Sequence, residues 1–375
     1  MADLHDTMIT NMDATLNMTH TSKILLLTFY LHVMVICVLG NGMILKGTFG
    51  RGAIKTDKVT VVCVEALALL DFTIAIFHVI PVMVTLASGR WMMGSGVCLL
   101  NAFISRALYI NEIFLTVAIS CYRLWMLKQP RAVRRSINIL YARAFLLILT
   151  AISFGCAGSQ LHQGGARFEP QFLSCSFTQV TGKSSPKLMV VGSTIFLALP
   201  MMLIVVINIL IVTIVSNQST TVRKSSTMPI LKKGESGTST FATMALKKRH
   251  KGYNQSTFVT ISLVCLVFVC CYTPTFILTV SIAAHCTPPD WFYSFTVAFL
   301  TLTIAANPFL YGATNRSFRE YVLSTIGSRY LNTLKEALGT IKNSLSGFVP
   351  LENMSGSNFA SERSKASDVA DVLDS

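Results

Sequence analysis

The sequence predicts an all-α membrane protein: a seven-transmembrane helix bundle with a short amphipathic helix on its cytoplasmic face. Three observations carry that expectation. Of the 375 residues, 52% are hydrophobic and 13% charged, with a mean hydropathy of +0.58, whereas a soluble domain is about a quarter charged. Seven stretches reach the roughly 20 apolar residues of helix that a hydrocarbon core about 30 Å thick requires. The basic residues then gather on one side of those spans.

In order, the spans are Ile24–Leu45, Val59–Ala87, Cys98–Leu127, Ile139–Ser159, Leu188–Val215, Phe258–Ala284 and Trp291–Tyr311. The first 22 residues hold three aspartates and no apolar core of the kind a cleavable signal needs, so the first span is expected to direct targeting as well. The fourth span is the weakest, because Arg143 interrupts its start. Removing it would put the two flanking loops on opposite sides and destroy the charge pattern. With the N-terminus outside, the cytoplasmic connections hold Lys46, Arg51, Lys55 and Lys58, then Arg123, Lys128, Arg131, Arg134, Arg135 and Arg143. The third connection adds Arg223, Lys224, Lys232, Lys233, Lys247, Lys248, Arg249 and Lys251, for eighteen in all, and the C-terminal tail adds seven more. The outer side has five: Lys23, Arg90, Arg167, Lys183 and Lys187. This asymmetry accounts for the net charge of +14 without nucleic acid as a partner.

The domain reading is an extracellular tail over 1–23, a seven-span domain over 24–314, an amphipathic helix over 315–332 and a disordered cytoplasmic tail over 333–375. Ser216–Gln255 and the chain from Ser344 onward are too polar to bury a core. In Asn315–Asn332, Phe318, Val322 and Ile326 recur every four residues with arginines between them, as on a helix lying along a membrane surface. No internal repeat is visible, which weighs against the repeat-built transporters.

Pro81, Pro200, Pro274 and the Asn307-Pro308 pair each interrupt a helix and remove a backbone hydrogen bond. Proline is commoner in membrane helices than in soluble ones, so any one of these is weak evidence of motion. Alongside them stand intramembrane Asp71, Arg106, Glu112 and Arg123. Ionisable groups at that depth cost at least about 2.5 kcal/mol each and mark function.

The order of the polar residues is more specific. Gly40-Asn41 lies in span one, and LALLD ends at Asp71 in span two. Trp91 precedes span three and Cys98 opens it, and Arg123 follows Cys98 by 25 residues, with Pro130 seven further on. Pro200 lies in span five, Cys271-Tyr272-Thr273-Pro274 in span six, and Asn307-Pro308-Phe309-Leu310-Tyr311 in span seven. This series resembles the rhodopsin-like (class A) G-protein-coupled receptors over residues 24–330. The resemblance implies a plasma-membrane receptor, not an enzyme, that binds an extracellular ligand within the bundle and activates a heterotrimeric G protein. It implies a disulfide between Cys98 and Cys175, which both fall outside. It also implies a Pro200, Ile113 and Phe268 connector below the pocket, and activation through Arg123, Asn307, Pro308 and Tyr311. Arg123 and the basic run Lys247–Lys251 would meet the Gα subunit. Ser225, Ser226, Thr227, Ser361, Ser364 and Ser367 are expected sites for receptor kinases and arrestin. Asn17 heads the one outer-side sequon and is expected to be glycosylated. Cys286 is expected to be a free thiol, and the other cysteines small apolar packers.

The chain departs from the family at several positions. Tyr122 replaces the acid before the arginine, and Asn254 stands where a second acid is common. Arg123 therefore lacks both usual ionic restraints, and raised ligand-independent signalling is expected unless Tyr122 and Asn254 hydrogen-bond it instead. Asp71 matches the sodium-site aspartate, but Glu112 replaces its usual serine partner. Two carboxylates in a dry bundle either share a proton or hold a cation between them, which predicts pH- or sodium-dependent signalling. The alternative is a protonated Glu112 bonded to backbone. No cofactor is needed beyond such a sodium ion. Asn208 stands in place of the common span-five tyrosine.

For the ligand, no lysine occurs between Lys251 and Lys335, and Thr301 occupies the retinal Schiff-base position, so a photopigment is disfavoured. Ser105 stands where amine receptors carry their aspartate, which disfavours an amine. Ser105, Arg106, Tyr109, His78 and Tyr272 are the expected pocket residues. Arg106 could recognise a carboxylate or phosphate through its planar fork, snorkel outward, or pair with Glu169. A transporter or channel using Asp71 and Glu112 is the alternative function. It is weakened because two residues do not trace a polar path. An intramembrane hydrolase lacks HExxH and GxSxG motifs.

Overall fold

In hydrocarbon every backbone polar group must be met within the protein, so the apolar stretches form helices, and their breaks are the informative places. The structure, a computed structural model, describes residues 14–51, 57–129, 137–159, 166–177, 194–226, 263, 265–282, 284–314, 318–325 and 327. Helix α1 spans His20–Arg51. Helix α2 spans Lys58–Ser88 and contains a π-helical turn at Ala75–Val79. Helix α3 spans Gly94–Lys128 and α4 spans Ile139–Gly158. A hairpin follows, with β1 (Ala166–Glu169) antiparallel to β2 (Ser174–Phe177) and Phe168 opposite Cys175. Helix α5 spans Leu199–Ser226 behind a second π-helical turn at Thr194–Ala198. Helix α6 spans Cys265–Ile282, and α7 comprises Asp290–Thr301 and Thr303–Thr314 with a hitch at Leu302. Seven helices among the described residues are long and apolar enough to cross a membrane, as the sequence predicts.

One expectation is corrected. Helix α5 continues through Ser226, so the start of Ser216–Gln255 is helical rather than unstructured. A helix already nucleated in its apolar part propagates into polar sequence at little further cost. The basic run Lys247–Lys251, Pro130, Thr227 and the tail serines lie outside the described residues.

Two of the prolines show how the bundle is assembled. Pro81 has no N–H, so the carbonyl of Phe77, four residues back, loses its α-helical donor. Asn101 on α3 donates to it through Nδ2 at 2.6 Å, and Ser105 through Oγ at 3.4 Å. Pro308 does the same to Ile304, whose carbonyl accepts from Asn41 Nδ2 on α1 at 3.0 Å. Asn41 reaches it because the helices touch at the preceding residue. A Cβ at Gly40 would lie 2.4 Å from Pro308 Cβ, closer than two carbons can approach.

The end of α3 that carries Cys98 is covered by the hairpin. Cys98 and Cys175 form the expected disulfide, with their Cα atoms 5.3 Å apart. Trp91 is buried, donates through Nε1 to the Gly94 carbonyl at 3.0 Å and stacks on Phe168 at 6.0 Å. By its contacts the chain divides into Met1–Val322 and Leu323–Ser375. Within the first unit, Phe318 opens a helical stretch and is buried against Ile44, Val64 and Ala68, with Tyr321 and Val322 beside it. Ile326, the third residue of the apolar face expected from the sequence, lies outside the described residues.

Replacing Gly40 by alanine is expected to destabilise the bundle by about 1–3 kcal/mol through overpacking. The control Gly42→Ala, whose Cβ would meet Phe72 at an ordinary 3.7 Å, is expected to cost much less. Thermal denaturation of the detergent-solubilised protein checks the pair, and equal melting temperatures would contradict the tight α1–α7 contact.

Candidate functional site

Toward the disulfide end of the bundle, polar and aromatic side chains of α2, α3 and α6 lie close together. His78 lies in the π-helical turn of α2, a local widening that often accompanies function. Its ring meets Tyr109 of α3 edge-on at 5.3 Å. Both of its ring nitrogens, and the Tyr109 hydroxyl, are buried without a hydrogen-bond partner among the described residues. Tyr272 of α6 stacks on Phe268 at 4.2 Å, and Phe268, Ile113 and Pro200 are each buried. Two expected pocket residues behave differently from one another. Ser105 is buried and turned onto the Phe77 carbonyl. Arg106 keeps an exposed side chain.

The roof is braced on α7. Gln171 Nε2 donates to Asp290 Oδ1 at 2.8 Å, Ser294 Oγ donates to the Gln171 carbonyl at 3.1 Å, and Phe172 packs edge-on against Tyr293 at 5.1 Å. Asn101 Oδ1 accepts from the Cys175 amide at 3.3 Å, so one side chain joins α2, α3 and β2. Glu169 pairs with Arg167 on its own strand, not with Arg106. Asn17 is exposed, beside Leu16, whose amide bonds to the Gly89 carbonyl at 2.8 Å.

The two intramembrane acids have separate partners. Asn307 Nδ2 donates to Asp71 Oδ2 at 2.9 Å, while Asp71 Oδ1 is buried with no hydrogen-bond partner among the described residues. Glu112 Oε2 accepts from the Tyr272 hydroxyl at 2.8 Å. The Tyr272 hydroxyl also lies 3.4 Å from the Tyr109 carbonyl, so α6 is tied to α3 at two successive points. About two turns further along, Asn208 Nδ2 on α5 reaches Ser120 Oγ at 3.4 Å, and Ser120 lies 3.2 Å from Cys265 Sγ on α6. Sequence reasoning did not single out Ser120 or Cys265; both read as ordinary small packers.

At the opposite end Arg123 is buried, and an acid not considered from the sequence stands beside it. Asp57 caps the N-terminus of α2, accepting from the Thr60 amide at 2.9 Å and the Thr60 hydroxyl at 2.7 Å. It also accepts from the Tyr122 hydroxyl at 2.6 Å and lies 4.0 Å from Arg123 Nη1. Burial acts to raise the Asp57 carboxyl, but the Tyr122 hydroxyl, the Arg123 charge and Thr60 together hold it below the usual carboxylate range. The expectation that Arg123 stands without an ionic restraint is therefore corrected. The acid missing from position 122 is supplied by α2, and Tyr122 acts as its donor. The Asp-x-x-Thr spacing ahead of an apolar run was the available signal. Asn254 lies outside the described residues, as does the side chain of Tyr311, whose backbone is helical.

Comparisons with known proteins bear on this geometry. The profile of the family described as 7 transmembrane receptor (rhodopsin family) matches residues 40–311. The chain is 23% identical over 297 residues to the melatonin receptor type 1A of Phodopus sungorus, covering 76% of each. It is 21% identical over 294 residues to the melatonin receptor type 1B-B of Danio rerio, covering 77% of this chain and 78% of that one. Squid rhodopsin matches structurally with a TM-score of 0.68 at 16% identity, over 83% of this chain and 87% of that one.

The Asp57 and Tyr122 changes should not be additive. A double-mutant cycle with Asp57→Asn and Tyr122→Phe is expected to give a coupling of about 1–3 kcal/mol in thermal stability. Because the Asp57 carboxyl is depressed in the folded protein, its contribution is complete above the ordinary aspartate value of about 4 and is lost as pH falls through its folded value. The gap between native and Asp57→Asn melting temperatures should be full at neutral pH and close only in strong acid. A gap that closes between pH 6 and pH 7 would contradict the assignment.

Proposed function

Since the chain belongs to the rhodopsin family of seven-transmembrane receptors, we propose that it is a plasma-membrane receptor whose ligand enters the bundle beneath the β1–β2 hairpin. A heterotrimeric G protein then reads the bundle at Arg123. The family consists of receptors rather than enzymes, which also favours this reading over a transporter using Asp71 and Glu112. The charge asymmetry supports an outer position for the N-terminus, Asn17 and the hairpin. The observation that carries the proposal is the α3 axis. At one end Tyr109 meets His78 of α2, in the middle Glu112 is bonded to Tyr272 of α6, and at the other end Arg123 sits against Asp57.

A ligand pressing on Tyr109 or Tyr272 bears directly on the hydrogen bond that joins α3 to α6. Helix α6 can swing only if its ties to α3 at Glu112 and Ser120 rearrange. Asp71 Oδ1 is the buried acceptor open to a sodium ion or a proton, while the Glu112 oxygen is committed to Tyr272. The resting restraint on Arg123 is the Asp57–Tyr122 pair, so high ligand-free signalling is no longer part of the proposal. Arrestin and receptor kinases are proposed partners of the cytoplasmic face. Melatonin is the first compound to assay, because the relatives carry its name; their identity to this chain transfers the receptor class and not the ligand.

The test is G-protein activation without ligand across several Gα subtypes at matched surface expression. Asp57→Asn is expected to raise it severalfold over the native chain, and Arg123→Ala placed on Asp57→Asn to abolish it. Signalling that survives Arg123→Ala would reject the proposed coupling surface. An unchanged Asp57→Asn would reject the restraint.

A further inference from the structure

We propose that the cap over the disulfide end of the bundle is a lid fixed to α3 that lifts along its α7 edge, at the contact of Gln171 with Asp290. Two separate segments build this cap. On the N-terminal side, Thr15 bridges Arg90 in antiparallel fashion, the Leu16 amide donates to the Gly89 carbonyl at 2.8 Å, and the Leu16 side chain is buried. On the hairpin, Phe168 and Leu173 are wholly buried, and Phe168 stacks on Trp91, which is buried as well. Four apolar side chains at this end are thus held away from water. A molecule arriving from outside passes them only where the cap parts.

The edges of the cap are unequally fastened. On α3 the fastening is covalent, through Cys98 and Cys175, with Asn101 Oδ1 accepting from the Cys175 amide beside it. On the α2 side a backbone hydrogen bond is backed by the buried Leu16. On α7 the bond from Gln171 Nε2 to Asp290 Oδ1 joins two exposed residues. It is supplemented by Ser294 Oγ on the Gln171 carbonyl and by the half-buried pair Phe172 and Tyr293. Water replaces an exposed hydrogen bond at small net cost, whereas withdrawing a buried leucine costs more and a disulfide does not open at all. The α7 edge is the first to part. Its backbone is also set to move: Leu173, which follows the turn Pro170–Phe172, has a φ of 55°. A bulky side chain adopts that left-handed conformation only where its surroundings impose it. Freeing Gln171 and Phe172 lets Leu173 relax and the turn swing from α7, while β2 stays on α3.

The test is thiol access beneath the cap. His78 is buried next to Phe77, whose carbonyl Asn101 holds. The reporter is His78→Cys in a Cys286→Ser background, since Cys286 is exposed. A charged, membrane-impermeant methanethiosulfonate is applied to intact cells, and the rate is corrected by the same background without the reporter. Asp290→Ala and Gln171→Ala are each expected to speed labelling about 3- to 10-fold, the loss of one hydrogen bond. Asp290→Asn, which keeps an acceptor oxygen, should label like the parent. Leu16→Ala should lower the melting temperature yet change labelling less than twofold. Ser294→Ala, which removes only the bond to the Gln171 carbonyl, replaces any latch variant that fails to fold and should speed labelling about 2-fold or more. Rates unchanged by the α7-edge variants would overturn the proposal. So would a larger rise with Leu16→Ala than with Asp290→Ala, which would place the opening on the α2 side. Labelling is read without any G protein, so its outcome is independent of whether the chain couples to one.

Discussion

A carbonyl that loses its donor inside a bilayer has no water to turn to, and the rest of this bundle is arranged around that constraint. Pro81 and Pro308 each free a carbonyl four residues back. Asn101 and Asn41 meet them from neighbouring helices, so each proline becomes a point of attachment between helices rather than a defect. Asn101 ties α2 to α3 and, through the Cys175 amide, to the hairpin roof. Asn41 ties α1 to α7 where Gly40 lets the two approach. The His78–Tyr109 contact and the Asp71–Asn307 contact both lie next to these attachments.

Helix α3 carries most of the chemistry because its neighbours enclose it. Along one helix, Arg106, Tyr109, Glu112, Ser120 and Arg123 pass from the disulfide end to the opposite end. Each of the last four touches a group on another helix. Buried polar contacts of this kind are strong in low dielectric and costly when broken singly. Motion at one end is therefore felt as a change of partners at the other, and not as a smooth bend.

Parts of the site were legible in the sequence because they are local or periodic. The disulfide cysteines, the amphipathic stretch at Phe318, the prolines and the intramembrane charges can all be read by counting residues. Asp57 escaped because it lies 65 positions from Tyr122 and reads as an ordinary helix cap. Tyr122, read as a missing acid, turned out to be the donor to a displaced one. Ser105 fell at a pocket position by count, but the carbonyl freed by Pro81 drew it onto α2. Glu169 was offered by the sequence as a partner for Arg106, but Arg167 on the same strand takes it.

What the sequence by itself determined is the seven-span class, the charge asymmetry across the membrane and the family. These follow from apolar length, from the distribution of lysine and arginine, and from residue spacing, none of which needs coordinates. What only the tertiary structure decided is the pairing: Asn41 with Ile304, Asn101 with Phe77, Tyr272 with Glu112, and Asp57 with Tyr122 and Arg123. Each joins different helices through a hydrogen bond or charge that falls off within a few ångströms, so it exists only once packing has brought distant segments to that distance.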